Sequence, residues 1–456
     1  MRNPLWQPAA CVLLLLAGPA SAQSPPGATL VLAGRLLDPR TGSVRSPAAV
    51  LVQDGKLKEV GPPEKVKASA PAGASVIDLG SATLLPGLID SHTHLLIDVT
   101  VPTESESSRR FNGDFVPGLL LAIAGMSPST RVLLGAQLAR EDLQAGFTTV
   151  RNLGHSGIDG DTALRDAINA GRVPGPRLLA SGRKLTSVGG YFQSLNPALA
   201  PAIIQQEFLE VRSPEGARVA VQEDAFIGAD WIKVAVEDDL TPAEMAAIVD
   251  EAHHQHLKVA VHVFPPSSIQ MAIDAGADSI EHGNGVTDAQ LKQMRTKGMF
   301  FDFTPTWYDG FASKVHEASI VMSPALRSSL AASDAQRRQK ATALVSRVLK
   351  SGVKFTAGSD MCWFYPGKTR GQATATMFSS LRAAGMPALD ILRAVTSNAA
   401  ELLGWQDKVG AVEPGRFADL VAVAVAGDPV ADITELERVR FVMKDGQVVK
   451  NDLPSR

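Results

Sequence analysis

A chain of 456 residues, 45% of them apolar and 20% charged, is too long for one ordinary core and has the composition of a globular protein. Its formal net charge of -3 supplies no basic field for nucleic acid or anionic lipid, which speaks against a DNA- or RNA-binding role.

The first residues, "MRNPLWQPAACVLLLLAGPASAQ", place Arg2 before an apolar run from Ala9 to Ala17 and then the small residues Ala20, Ser21 and Ala22. That order predicts a secretory leader, residues 1–22, cleaved after Ala22, with the mature protein periplasmic or secreted. The run is far shorter than the roughly 20 apolar residues of a spanning helix, so no membrane attachment is expected after cleavage. Cys11 lies inside the run and leaves with it. Cys362 then remains as the one cysteine, which rules out an intramolecular disulfide and suits a packing residue.

Residues 23–83 read as short strands, "TLVLAGRLLD", "AAVLVQDGKLKEVG" and "SVIDLG", with an Asp-Gly hairpin turn in "QDGK". Residues 408–456 return to the same grammar in "DLVAVAV" and "VRFVMKDGQVVK". The two segments together predict one small β-sandwich flanking residues 84–407. In that middle stretch strand-like runs alternate with helix-like ones: "LIDSHTHL", "TTVRNLG", "RLLASG", "WIKVAV", "KVAVHV", "SIEHG", "FFDFTPTW" and "KFTAGSD". One intervening helix, "TPAEMAAIVDEAHHQH", is signed by a capping box of Thr241 with Glu244 and by Pro242 in its first turn. Eight such units predict an α/β fold, a (β/α)8 TIM-like barrel.

Active groups in such a barrel gather at the C-terminal ends of the strands. His92 and His94 end the first strand, and residues two apart on a strand point the same way. Lys233 lies in the fourth, His262 closes the fifth, His282 the sixth and Asp360 the eighth. Each alone is an ordinary polar residue. Six at equivalent strand ends, four of them imidazoles, predict a metal site of the kind zinc accepts. Lys233 is the outlier, because a dication repels an ammonium and a buried unpaired charge is costly. Reaction of its neutral amine with carbon dioxide would give an anionic carbamate able to bridge two metals. The alternative is a lysine paired with Glu237 or Asp230.

"PGLIDSHTHL", "WIKV", "VHV", "SIEHG", "AGSD" and "VEPGRFADLVAV" resemble the amidohydrolase superfamily, in order and in barrel position, over nearly the whole mature chain. "TTVRNLG", "ALRDAINAGRVPGPRLLASG", "AGADSIEHG" and "TSNAAELLG" look like its imidazolonepropionase-like branch, which includes binuclear Xaa-Pro dipeptidases and N-acyl-amino-acid carboxypeptidases, ochratoxin-hydrolysing enzymes among them. The resemblance implies that His92 and His94 bind the more buried of two divalent ions, His262 and His282 the more exposed one, the Lys233 carbamate bridges, and Asp360 stands beside the nucleophile. It further implies cleavage of an amide C–N bond in a dipeptide or N-acyl amino acid by a metal-bound hydroxide, with Asp360 as general base and then acid. The chain departs from the branch in "KVAVEDDL", "HVFPPS", "WFYPGKTRGQ" and at Tyr191, where a histidine is common. These changes fall in loops that set specificity and leave the ligands untouched.

A free substrate carboxylate needs its own partner, for which Arg183, Lys184, Tyr191, Tyr308, Lys368 and Arg370 are candidates; Tyr191 and Arg370 are preferred on placement. His155, after the second strand, is a further candidate for the pocket. His253, His254 and His256 belong to the outer helical ring, and His316 to a long connection where a lid is possible. Residues 312–339 read as helical padding or the contact of a homo-oligomer. Two other functions remain open: a mononuclear deaminase or cyclic-amide hydrolase with Lys233 unmodified, and a non-catalytic binding protein.

Overall fold

The computed structural model describes residues 27–100, 115–190, 195–198, 200–236, 239–308, 324–424 and 428–453. The expected leader, Tyr191, Glu237 and His316 lie outside the described residues. Among those described, no single helix is long and apolar enough to cross a membrane.

The first strands build the β module: β1 (Thr29–Ala33), β2 (Arg35–Leu37), β3 (Val44–Arg45), β4 (Ala48–Gln53), β5 (Lys56–Gly61), β6 (Ser75–Asp78) and β7 (Thr83–Pro86). The middle of the chain supplies β8 (Leu88–Thr93), β9 (Phe147–Asn152), β10 (Arg177–Leu179), β11 (Lys184–Thr186), β12 (Phe208–Glu210), β13 (Trp231–Val236), β14 (Lys258–Val263), β15 (Ser279–His282), β16 (Phe300–Phe303) and β17 (Lys354–Ala357). The chain then returns to the module with β18 (Leu420–Val423), β19 (Phe441–Lys444) and β20 (Gln447–Asn451).

The module has two sheets, ordered β5-β4-β1-β6 and β20-β19-β18-β7-β2-β3. The second interleaves both ends of the chain, since β7 pairs antiparallel with β18, Leu85 opposite Val421. Between the sheets pack Val31, Val50, Val52, Leu84, Leu420 and Phe441. Both Asp-Gly turns form as the sequence predicts. Asp54 and Gly55 have φ of 52° and 72°, Asp445 and Gly446 51° and 73°, the pair of positive values that a two-residue hairpin turn requires.

Parallel strands carry the barrel in two arcs, β10-β9-β8 and β12-β11-β13-β14-β15-β16-β17. Helices cover the strands on their outer side, so strands such as β13, "WIKVAV", are buried along their whole length. Between β10 and β11 the third strand is interrupted, contrary to the continuous run "RLLASG" read from sequence. The reason is local: Asp161 Oδ2 takes the N–H groups of Ser181 and Gly182 at 3.0 and 3.1 Å, so those residues leave the ladder, and Gly182 turns the chain at φ 66°. Trp231 and Asp230 N–H groups bond Ala180 O across that joint.

The last strand meets the first through isolated bridges, Thr93 to Met361 and Val99 to Trp363, and through Asp360 N donating to His92 O at 2.6 Å. The approach is close enough to demand glycine at 358, where a Cβ would stand 2.3 Å from the His92 backbone nitrogen. The capping box on helix Pro242–His254 is present in both directions, and its terminal His253 and His254 face solvent on the outer ring.

Candidate active site

His92 of β8 and His94, the residue just after that strand, lie two apart at the barrel mouth, 1% and 4% exposed. His94 Nδ1 lies 3.1 Å from Gly154 O, an atom that can only accept, so Nδ1 carries the proton and Nε2 presents its lone pair. His92 is oriented in the same sense by Glu281, whose Oε2 is 2.8 Å from Nδ1. Both free nitrogens then converge on Asp360 Oδ1, at 3.5 Å from His92 Nε2 and 3.1 Å from His94 Nε2. Two imidazole lone pairs aimed at a carboxylate oxygen repel unless a cation or a proton lies between them. That donor set, with its atoms all within 4.8 Å of one another, suits a divalent metal.

The other three strand-end residues join this cluster. Lys233 Nζ is 3.4 Å from His92 Nε2. His282 Nδ1 is 3.9 Å from Asp360 Oδ2 and 2.7 Å from Thr304 Oγ1, while its Nε2 meets His262 Nδ1 at 2.8 Å. His282 and Asp360 both leave their strands with left-handed φ, 66° and 53°, a conformation that non-glycine residues keep where the surroundings impose it. For Asp360 the surroundings are visible: Asp90 accepts Ser359 N at 2.8 Å, Ser359 Oγ at 2.6 Å and His92 N at 3.1 Å, which fixes the turn against β8.

Burial pushes His92, His262 and His282 well below the usual imidazole value, and His94 below it, so all four are neutral nitrogen donors. Burial lowers the Lys233 amine to about 8, against the opposing pull of Glu281 and Asp360. Asp360 supplies the anionic oxygen of the set, its Oδ1 3.1 Å from His94 Nε2. The site therefore combines neutral nitrogen donors, one anionic oxygen and an amine that readily loses its proton.

Beneath the cluster lies a charged layer that the sequence reading did not single out. Arg151 on β9 stacks on Trp231 at 4.4 Å and bonds Glu281 at 3.0 Å and Asp302 at 3.2 Å, all fully buried. Burial, with Glu281 beside it, holds the Asp302 carboxyl well above its ordinary value, where it also accepts Ser91 Oγ and Thr356 Oγ1 at 2.7 Å each. Burial opposes ionisation of Glu281 too, yet Arg151 and Lys233 hold its carboxyl below the usual value. One anion and one guanidinium thus balance in the barrel interior, and Glu281 is free to orient His92. The available signal was a charge inside an otherwise apolar parallel strand, as in "SIEHG" and "FFDFTPTW".

Three expected substrate contacts separate in the structure. Tyr191 lies outside the described residues. His155 is buried next to the cluster, its ring 4.9 Å from that of His94, with Nδ1 3.3 Å from Glu207 and Nε2 2.6 Å from Lys184 Nζ. Arg370 is buried within the fold instead of standing on a surface loop. The residue is 4% exposed, and its guanidinium donates to His94 O, Met361 O, Ile97 O and Asp98 Oδ1, tying the loops after β8 and β17 together. Its placement was misread because "GKTRGQ" looks like a polar surface loop, whereas Arg370 opens helix Arg370–Ala375 and turns inward. Arg370→Met is expected to cost about 3 kcal/mol of stability, because it strands Asp98 and several buried carbonyls. Urea denaturation checks this, and a variant with wild-type stability but a raised KM would restore the substrate role.

The structure and sequence match known proteins along most of their length. An ochratoxinase from Aspergillus niger is 28% identical over 464 aligned residues, covering 92% of this chain and 86% of that one. An imidazolonepropionase from Porphyromonas gingivalis is 24% identical, with 84% of each chain covered. A crystal structure of an Xaa-Pro dipeptidase with bound methionine in the active site superposes with a TM-score of 0.75 at 28% identity, over 93% of this chain and 100% of that chain. The model of the amidohydrolase family matches residues 83–449, a span that holds every barrel strand and all six clustered side chains, and the chain belongs to that family.

Proposed function

We propose that this protein is an exported binuclear amidohydrolase that cleaves the amide C–N bond of dipeptides or N-acyl amino acids, with zinc as the metal. The observation that carries the reading is the set of inward-facing lone pairs of His92 and His94 against Asp360, with Lys233, His262 and His282 joined to them. His92 and His94 would hold one ion, His262 and His282 the other, and Asp360 would complete the set. Lys233 is suited to bridge them as a carbamate. Its amine, lowered to about 8 by burial, adds carbon dioxide with release of a proton and becomes an anion with two oxygens. The leader in residues 1–22 supports export.

The ions, when bound, supply Lewis acidity at the carbonyl and acidify the attacking water. Asp360 takes the proton of that water as the new C–O bond forms. It returns the proton to the leaving nitrogen as the C–N bond breaks, giving a carboxylic acid and an amine. Glu281 keeps His92 in one tautomer throughout, and Gly154 does the same for His94.

The test is a panel of Xaa-Pro dipeptides and N-acyl amino acids on zinc-loaded protein, with metal counted by mass spectrometry. Two ions per chain and release of a free amino acid support the reading. One ion per chain, with release of ammonia from an amino-substituted ring, would establish the mononuclear deaminase instead.

A further inference from the structure

We propose that Thr304 and Thr306 are paired positioning residues, one hydroxyl setting the His282 ring for its ion and the other holding the turn that carries Asp360. The assignment rests on the binuclear reading above and deepens it by naming the element that aligns the second ion with the general base.

β16 is the strand between the two residues concerned. It pairs with β15, which ends in His282, and with β17, which leads to Asp360. After Phe303 the chain enters a 3-10 turn, Pro305–Trp307. Pro305 presets the φ at its start, and Tyr308 N closes it on Pro305 O at 2.8 Å. The Tyr308 side chain, 8% exposed in the main core, pins the far end. Thr304 and Thr306 flank the proline and are 5% and 1% exposed, so their hydroxyls must bond within the fold. They do so on opposite sides.

Thr304 Oγ1 lies 2.7 Å from His282 Nδ1. With an ion on Nε2, Nδ1 carries the proton and the hydroxyl accepts it, which fixes both tautomer and ring plane. Asp360 Oδ2 is 3.9 Å from the same nitrogen, and the bond to Thr304 keeps the ring from turning to it.

Thr306 Oγ1 donates to Ser359 O. That carbonyl belongs to the peptide unit entering Asp360, whose N–H donates to His92 O at 2.6 Å. The unit is thus held at both ends, and with it the left-handed φ of Asp360. His282 is the other of the six clustered residues with a left-handed φ. One short turn therefore steadies both strained positions.

The test compares valine, which keeps the shape of threonine without its hydroxyl, with serine, which keeps the hydroxyl. Zinc is the probe, counted by mass spectrometry after dialysis of the full chain against graded chelator, beside kcat and KM on the best panel substrate. Thr304→Val is expected to release one of its two ions at about 10- to 100-fold lower chelator concentration than wild type, and Thr304→Ser to restore retention. Thr306→Val should keep both ions and the wild-type KM while kcat falls about tenfold, and Thr306→Ser should recover it. Wild-type zinc retention in Thr304→Val, wild-type kcat in Thr306→Val, or serine variants no better than valine overturn the assignment and leave the binuclear reading standing. Where a valine variant melts far below wild type, alanine replaces it. If alanine unfolds the protein as well, the hydroxyl is a stability element and the positioning role is overturned. A wild type that retains fewer than two ions refutes the binuclear reading itself, a distinct result that removes this assignment with it.

Discussion

Lys233→Ala is expected to lower amide hydrolysis by about 10³-fold or more and to leave the protein with fewer than two ions per chain. The side chain is 1% exposed, its amine stands 3.4 Å from His92 Nε2, and all six residues of β13 are buried. A lysine in that position is a liability unless it is converted to an anion, since as an ammonium it would repel any cation held by His92. On the proposed reading its removal would delete the bridging group and leave the imidazoles in place, so metal content should fall while the fold persists. Metal analysis, circular dichroism and hydrolysis of the best panel substrate separate these effects. Reconstitution with zinc and bicarbonate should exceed reconstitution with zinc alone. Full activity in Lys233→Ala, or indifference of the wild type to bicarbonate, would return Lys233 to the unmodified amine of the mononuclear alternative.

Asp360→Asn is expected to lower kcat by about 10²- to 10⁴-fold with a small change in KM, the range for loss of a positioned general base. This variant isolates charge from shape. Asparagine tolerates the left-handed φ of 53° at this position, and the backbone bond from residue 360 to His92 O is kept. Alanine would add backbone strain to the loss of charge and blur the result. Stopped or steady-state hydrolysis beside a melting curve suffices, and a loss of only a few-fold would move the proton-transfer role to another group.

Much of the fold was legible because each signal was local. The Asp-Gly hairpins at 54–55 and 445–446, the Thr241 capping box and the long apolar strands depend on residues adjacent in sequence. The candidate ligands were legible for a related reason: His92, His94, His262, His282 and Asp360 sit at strand ends, and a parallel barrel brings strand ends together. Less visible was whatever depended on a contact between distant segments. The break between β10 and β11 is made by Asp161, which no pattern in "RLLASG" announces. β11 is only Lys184–Thr186, too short to show a period, so Lys184 read as one loop cation among several. Arg370 looked exposed by composition, and its burial follows from carbonyls of the loop after β8. Glu281 and Asp302 find their partner, Arg151, on a strand distant in sequence, so no local spacing marks the pairing that a carboxylate buried on both faces of a strand needs.

The interleaving of β7 with β18 also bears on how the polypeptide reaches its final state. β7 leaves the ribosome early, but its antiparallel neighbour follows only after the entire barrel has been synthesised. Until then Leu84 and Leu85, wholly covered in the finished molecule, have no sheet to enter on that side. Maturation of the module is thus a late event, and a chain stopped short of Leu420 carries a bare hydrophobic edge of the kind that drives aggregation.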